Sequence, residues 1–142
     1  DANITWSHSA MQVPGRPSRQ ALTEQAPLLY NFALYYERNN IETRLALNYT
    51  GAFVTDINLA ANPAPEALGK PLHLDTDFDI FQGSTYSLDY QFSYKIGKYI
   101  QAYVELSNLL DTPFRTYIGR PERPIRTEYY KQRGMIGFRF KL

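Results

Sequence analysis

The sequence has no cysteine and only two histidines, His8 and His73, among its 142 residues. Disulfides and thiolate chemistry are therefore excluded, and a zinc site would have to consist of histidine and carboxylate ligands. No apolar run approaches the ~18 residues of a transmembrane helix. Neither sign of charge dominates, because the sequence has 15 Lys and Arg residues and 14 Asp and Glu residues. This balance argues against a nucleic-acid partner, which would select a basic surface.

Aromatic side chains are in excess, at 15% of the sequence, with 12 tyrosines against 8 phenylalanines. Tyrosine suits surfaces that are apolar on one side and wet on the other, such as a membrane interface or a binding face. The hydrophobic fraction of 44% is too high for a disordered chain. A folded chain with an amphipathic surface is therefore expected.

The nine prolines fall in three groups, at 14–27, 63–71 and 113–124, and proline is excluded from the interior of a sheet. The stretches between these groups alternate between apolar and polar residues, which predicts β-strands with one apolar face. Strands are predicted around 28–37, 41–50, 86–96, 100–107 and 136–142, with a weaker one around Ile4 and Trp6. No helix is predicted.

Two short connections, at 37–40 and 97–99, alternate with three long ones, at 11–27, 54–85 and 110–129. In an antiparallel meander, this alternation puts the long connections at one end of the sheet and the short turns at the other. Keeping the apolar faces together sets Tyr36 opposite Ile41 across a four-residue loop. The same argument sets Ile96 opposite Ile100 across a three-residue hairpin.

A sheet with one apolar face can enclose that face, as a soluble barrel does, or turn it to lipid and keep its polar face in a wet lumen. Tyrosines near the ends of the apolar rows and the unequal connections favour lipid. The residues expected to face lipid include Phe32, Leu45, Leu88, Phe92, Val104 and Phe138. Those expected to face the lumen include Asn31, Arg44, Asp89, Gln91, Glu105 and Arg139.

The last strand keeps its alternation to the final residue, and its apolar positions are Ile136, Phe138, Phe140 and Leu142. The segments 88–96 and 108–119, with 28–37 and 44–49 upstream, resemble the closing strands of TonB-dependent outer-membrane receptors. In that family the assembly machinery reads the terminal strand, whose usual last residue is aromatic. This sequence departs from the family pattern at Leu142.

The resemblance implies an all-β, antiparallel up-and-down transmembrane barrel, of which residues 1–142 would supply about the last six of roughly 22 strands. The remaining N-terminal strands and the plug domain of the same receptor, on the same or a separate chain, would complete it. Such receptors import a scarce nutrient (a siderophore, vitamin, glycan or peptide) across the bacterial outer membrane. Expected partners are a TonB-type energy-coupling protein acting through the plug, outer-membrane lipid, lipopolysaccharide and a surface lipoprotein.

An acidic triplet is the one candidate metal site. Asp75, Asp77 and Asp79 have the spacing of the first three ligands of a calcium loop. Ile80 and Tyr86 stand where the turn glycine and the bidentate glutamate belong. The two interpretations are a weak Ca²⁺ site and an acidic, solvated loop. No other cofactor is predicted, and each histidine is expected to be a surface residue.

An arginine cluster crowds the last long connection, and its members are Arg115, Arg120, Arg123 and Arg126. Such a cluster binds an anionic ligand or lipopolysaccharide phosphate through paired hydrogen bonds, or it pairs with nearby carboxylates such as Glu122 and Glu128. Both interpretations remain open from the sequence.

No nucleophile–base pair is recognisable, because the serines and threonines have no histidine at a meaningful spacing. The sequence therefore predicts part of a transporter and not an enzyme. Two alternatives remain. A soluble lipocalin-like barrel that binds a small ligand fits the length but calls for more strands and shorter loops. A passive porin-like barrel would differ from a receptor by the absence of a plug.

Overall fold

A computed structural model describes residues 1–13, 16, 19–57 and 78–141 of the chain. Within these ranges the protein is all-β with antiparallel sheets, as predicted. The strands are β1 (Ala2–Trp6), β2 (Met11–Gln12), β3 (Arg19–Gln20), β4 (Leu28–Arg38), β5 (Ile41–Thr50), β6 (Phe53–Asp56), β7 (Ile80–Gln82), β8 (Thr85–Ile96), β9 (Ile100–Ser107), β10 (Phe114–Ile118), β11 (Pro124–Glu128) and β12 (Arg133–Phe140).

The main sheet has six strands in the order β1-β4-β5-β8-β9-β12. Each of them covers a stretch of alternating residues, which is the pattern of a sheet with two unlike faces. Neighbouring strands are antiparallel throughout. The long connections at 7–27, 51–84 and 108–132 therefore leave from one end of the sheet, and the turns at 39–40 and 97–99 from the other. The predicted separation of long and short connections is confirmed.

The structure differs from the prediction inside the long connections, which contain further short strands. β6, β7, β10 and β11 form a four-stranded sheet in the order β11-β10-β7-β6, and β2 pairs with β3. The prolines had indicated loops here. Pro124, however, opens β11 at the edge of its sheet, where a missing N–H breaks no ladder hydrogen bond.

The four-stranded sheet repeats the lateral order of the main sheet. β6 follows β5 after two residues and β7 precedes β8 by two, while β10 and β11 lie between β9 and β12. At the junctions the N–H of Gly51 donates to the carbonyl of Leu28 and that of Gly83 to the carbonyl of Arg115, both at 2.8 Å. The strands of the main sheet thus continue into the long connections as a second tier, which we call the rim sheet.

The first short turn is tighter than expected. Arg38 pairs with Ile41 across the two-residue turn at Asn39 and Asn40, so the expected pairing of Tyr36 with Ile41 is wrong. Asn39 has a φ of 55°, a left-handed conformation that asparagine adopts more readily than most residues. Because the register differs from the expected one by an even number of residues, the apolar faces still coincide.

The second short turn matches the prediction. Ile96 pairs with Ile100 across three residues. Gly97 has a φ of 67°, which a residue without a Cβ adopts at no steric cost.

One face of the main sheet is apolar and uncovered. The registers bring the residues expected to face lipid to this side, which we call the apolar face. Trp6, Ile136 and Phe138 on it are 81%, 78% and 61% exposed. In the described part of the chain the buried apolar residues are Val13, Ala46 and Val54, and none of them belongs to this face. The described residues therefore provide no second layer that covers the apolar side chains of this face.

The main sheet has two open edges. β1 pairs with β4 and β12 with β9, and the described residues form no closed barrel. An edge strand presents a row of N–H and C=O groups away from its sheet. Within the described ranges there is also no helix that is long and apolar enough to cross a membrane.

Candidate functional site

The opposite side of the main sheet carries its charges, and we call it the polar face. One cross-strand row runs from Tyr35 through Arg44 and Gln91 to Glu105. Asp89 lies two residues from Gln91 on the same strand and therefore on the same face. Arg139 borders the same groove as this row. The structure thus brings together on one face every residue that the sequence had predicted to line a lumen.

The middle of the polar face is an open groove of about 300 Å³. Its walls carry two cations, Arg44 and Arg139, and two carboxylates, Glu42 and Glu105, so its charges balance. The Arg44 guanidinium lies 5.3 Å from the centroid of the Tyr35 ring, a cation–π contact. A groove of this composition holds water and polar groups, and it offers both signs of charge to whatever faces it.

A second contact on this face fixes an aromatic ring against the last strand. Tyr103 lies across Gly137, since a Cβ built on that glycine would be 2.5 Å from the tyrosine hydroxyl oxygen. Arg139 lies over the same ring, with 5.1 Å between the guanidinium carbon and the centroid. With the ring in this position a Cβ at residue 137 would clash with it, so this close packing depends on glycine there. This packing joins β9 to the edge strand β12 on the polar side.

A short polar chain completes the groove near the short turns. The Gln101 amide nitrogen donates to the Ser93 hydroxyl at 2.8 Å, and that hydroxyl donates to Glu42 at 3.5 Å. Lys95 and Glu37 form an exposed ion pair at 3.4 Å. These contacts are partly or fully exposed to solvent, so each contributes little to stability.

The most buried charges of the described chain lie outside the main sheet. Asp79, which is 0% exposed, receives two hydrogen bonds from the Arg16 guanidinium at 2.6 and 2.5 Å. Arg16 is 4% exposed. The carbonyl of Asp79 also accepts a hydrogen bond from the N–H of Gly119 at 2.9 Å. The pair therefore ties the first long connection to the rim sheet.

Of the three aspartates in the predicted calcium site, the structure describes only Asp79. Asp75 and Asp77 lie outside the described residues. Asp79 already holds a guanidinium through both of its carboxylate oxygens, which is the role of an ion-pair partner. Among the described residues there is no group of three histidine or carboxylate side chains placed to hold a metal ion.

The arginine cluster of the last long connection does not form one surface. Arg115 pairs with Thr127 on β11, while Arg126 pairs with Thr116 on β10, so alternation sends Arg115 and Arg126 to opposite sides of the hairpin. Arg120 and Arg123 are exposed at its tip, where the N–H of Arg123 donates to the carbonyl of Arg120 at 2.9 Å.

Arg126 is engaged within the hairpin. Its Nε donates to Glu128 at 2.6 Å, and the Tyr130 hydroxyl donates to the same carboxylate at 2.6 Å. The hydrogen bond from Tyr130, followed by that from Arg126, lowers the pKa of Glu128. The pKa of Tyr130 is raised by its hydrogen bond to Glu128. For Arg126, self-pairing is therefore the interpretation that its contacts favour.

The last described strand, β12 (Arg133–Phe140), overlaps the predicted strand 136–142 but begins three residues earlier. Ile136, Phe138 and Phe140 lie on the apolar face of β12 and pair with β9, while Leu142 lies outside the described residues. His8 is exposed, and His73 also lies outside the described residues. Arg16 is the residue that sequence reasoning missed, because nothing in the local pattern links it to Asp79, 63 residues away.

No family model matches this chain, and no curated protein or solved structure matches it either. The resemblance to TonB-dependent receptors therefore stays a prediction. The described residues form an exposed apolar face, a charged polar face, a main sheet with two open edges and a rim sheet joined to the first long connection by a buried ion pair.

Proposed function

We propose that this chain is a segment of the wall of an outer-membrane β-barrel, and that the barrel is a TonB-dependent transporter for a scarce nutrient. In this proposal the apolar face contacts lipid and the polar face lines the lumen. The chain acts as part of a transporter and not as an enzyme. The observation that carries the proposal is the uncovered apolar face, which spans all six strands of the main sheet.

Exposed apolar surface of this extent is costly in water, where a monomer rarely presents a contiguous apolar patch of more than a few hundred Å². Lipid removes that cost, because the apolar side chains of the face then contact hydrocarbon. A lipocalin-like barrel would enclose its apolar face instead, and the described residues neither close into a barrel nor bury that face. These two observations favour the membrane over the soluble alternative.

Strand length and tyrosine placement also support a membrane. A transmembrane strand needs about 9–11 residues, and β4, β5 and β8 have 11, 10 and 12. Tyr30, Tyr49 and Tyr86 form one row at the end of the apolar face nearest the long connections, with ring centroids 4.7 and 4.8 Å apart. Aromatic side chains form such girdles at the level of lipid headgroups.

The open edges support a larger assembly. An unpaired backbone group in hydrocarbon costs several kcal/mol, so a membrane sheet must pair both of its edges. In this proposal β1 and β12 therefore pair with further barrel strands, as a barrel of roughly 22 strands would provide. The mixed charges of the polar face are then available to a plug or to a passing substrate. A plug and energy coupling distinguish the transporter from a porin-like barrel.

The embedding is tested by placing one tryptophan at adjacent positions on opposite faces. Phe138→Trp and Arg139→Trp are compared in vesicles that contain lipids brominated along their acyl chains, after replacement of Trp6 by Phe. Bromine should quench the tryptophan of the Phe138→Trp variant and not that of the Arg139→Trp variant, because successive residues of a strand point to opposite sides. Equal quenching in both variants, or in neither, would contradict a lipid-facing apolar side.

The transport proposal needs a second test in the cell that makes the protein. Uptake of a radiolabelled nutrient is measured in wild-type cells, in cells lacking the receptor gene, and in cells lacking the TonB-type coupling protein. Loss of the same uptake in both deletion strains is expected. Uptake that requires the receptor but not the coupling protein would instead identify a passive barrel.

A further inference from the structure

A pocket lies among the long connections, apart from both faces of the main sheet. It has a volume of about 480 Å³ and is lined by the residues after β1, by β3 and by the start of β6. This volume is within the ~300–1,000 Å³ typical of small-molecule sites. We call it the rim pocket, and its lining residues used below are Gln20, Gln25, Phe53, Val54 and Phe81.

Most of the rim pocket is apolar. Phe53 and Val54 come from β6 and Phe81 comes from β7, whose strands pair directly. The N–H of Glu24 donates to the carbonyl of Val54 at 2.8 Å and holds the opposite wall against this hairpin. The pocket is therefore built by secondary structure and long-range hydrogen bonds.

Its polar lining residues include two carboxamides with atoms that have no hydrogen-bond partner among the described residues. Gln20 is 8% exposed, and neither its amide nitrogen nor its amide oxygen has a hydrogen bond among the described residues. The amide oxygen of Gln25 is also buried without a partner. A buried polar group without a hydrogen bond is costly, and native proteins leave few of them. Three such atoms beside one pocket leave hydrogen-bonding capacity that a bound molecule would satisfy.

The geometry points to a ligand site in the rim pocket for a largely apolar molecule that carries a carboxamide group. The Gln20 side chain offers one donor group and one acceptor side by side, and a ligand carboxamide offers the complementary pair. Phe53, Val54 and Phe81 suit an apolar substituent on that molecule. A polyol fits less well, because it would bring several hydroxyl groups against an apolar wall.

This inference does not depend on the proposed function, since it concerns the long connections and not the faces of the main sheet. It is tested by ligand-observed NMR on the purified full chain in detergent, with N-acetyl-leucine amide and methyl α-glucoside as probes. Saturation transfer to the amide and not to the glucoside is expected. Stronger transfer to the glucoside would overturn the ligand class, and transfer to neither would overturn the site.

The variant Gln20→Leu separates a ligand-binding residue from a structural one. It removes two unpartnered polar atoms from a buried position, so we expect an unchanged or higher Tm together with at least tenfold weaker binding of N-acetyl-leucine amide. Gln132→Leu is the matched control, because Gln132 is exposed and lies outside the pocket lining. It should keep the binding of the wild type. A lower Tm for Gln20→Leu with unchanged binding would show that Gln20 is structural and refute the site.

Discussion

Removal of one partner from the buried Arg16–Asp79 pair should loosen the rim sheet. Asp79→Ala takes both hydrogen-bond acceptors away from a guanidinium that is 4% exposed. Breaking a buried pair in this way costs about 3–5 kcal/mol, because a buried guanidinium loses the carboxylate that compensates its charge. Each 1.4 kcal/mol is a tenfold change in an equilibrium constant, so local opening should become more frequent by roughly two to three and a half powers of ten.

Hydrogen exchange measures this opening residue by residue. Amides of β2 and β7 should exchange faster in Asp79→Ala, while those of β4 and β5 should keep their protection, because local and global unfolding are separate events. The control is Lys95→Ala, which breaks an exposed pair and should cost about 0.2–1 kcal/mol. An Asp79→Ala variant that exchanges no faster than Lys95→Ala would refute the reasoning.

The double variant adds a second criterion. Replacing both Arg16 and Asp79 by apolar residues of similar size removes the charges together, and such replacements are often neutral or stabilising. We expect Arg16→Met with Asp79→Leu to recover much of the protection that Asp79→Ala loses. Failure to recover any protection would mean that the rim sheet needs the hydrogen bonds between these two residues. Removing both buried charges together would then not be enough.

Three further outcomes are expected. Gly137→Ala should destabilise the sheet by about 1–3 kcal/mol, because the new Cβ would lie 2.5 Å from the Tyr103 hydroxyl oxygen. Denaturant unfolding measures this loss of stability. Adding Tyr103→Ala should restore most of it. Phe92→Arg should cost about 2–4 kcal/mol in a bilayer if the side chain lies near mid-membrane, whereas an arginine at the neighbouring, opposite-facing position should be tolerated. The pKa of Glu128, monitored by NMR, should lie below its ordinary value of 4.5 and rise in Tyr130→Phe. Because the folded state lowers this pKa, the contact stabilises the hairpin at neutral pH and is lost as the pH falls through the lowered value.

The sequence predicted the main sheet well because its signal is local. Alternation with a period of two follows directly from the geometry of a strand, and strand neighbours then follow from short connections. The pairing of Ile96 with Ile100 was predictable because only three residues separate them. The pairing of Tyr36 with Ile41 was wrong because an asparagine pair allowed a tighter turn than the apolar pattern alone suggested.

The rim sheet was harder to predict from the sequence. Its strands have 3 to 5 residues, too few for alternation to stand out, and proline had indicated loops. The residues of the polar face were found correctly, since alternation alone assigns them to one side. The Arg16–Asp79 pair and the unpartnered Gln20 amide depend on contacts between distant segments. No spacing rule covers such contacts.

The buried pair and the rim pocket are coupled through one short hairpin. Gln20 pairs with Met11 in β3 and β2, and the Gln12 amide nitrogen donates to the carbonyl of Arg16 at 2.8 Å. Arg16 is in turn held by Asp79 beside the rim sheet, which supplies the aromatic wall of the pocket. Asp79 does not line that pocket, yet Asp79→Ala should weaken binding of N-acetyl-leucine amide, because a loosened hairpin must be reordered before it binds. Binding that survives Asp79→Ala unchanged would show that the pocket is organised by its own walls and that the ion pair serves the rim sheet alone.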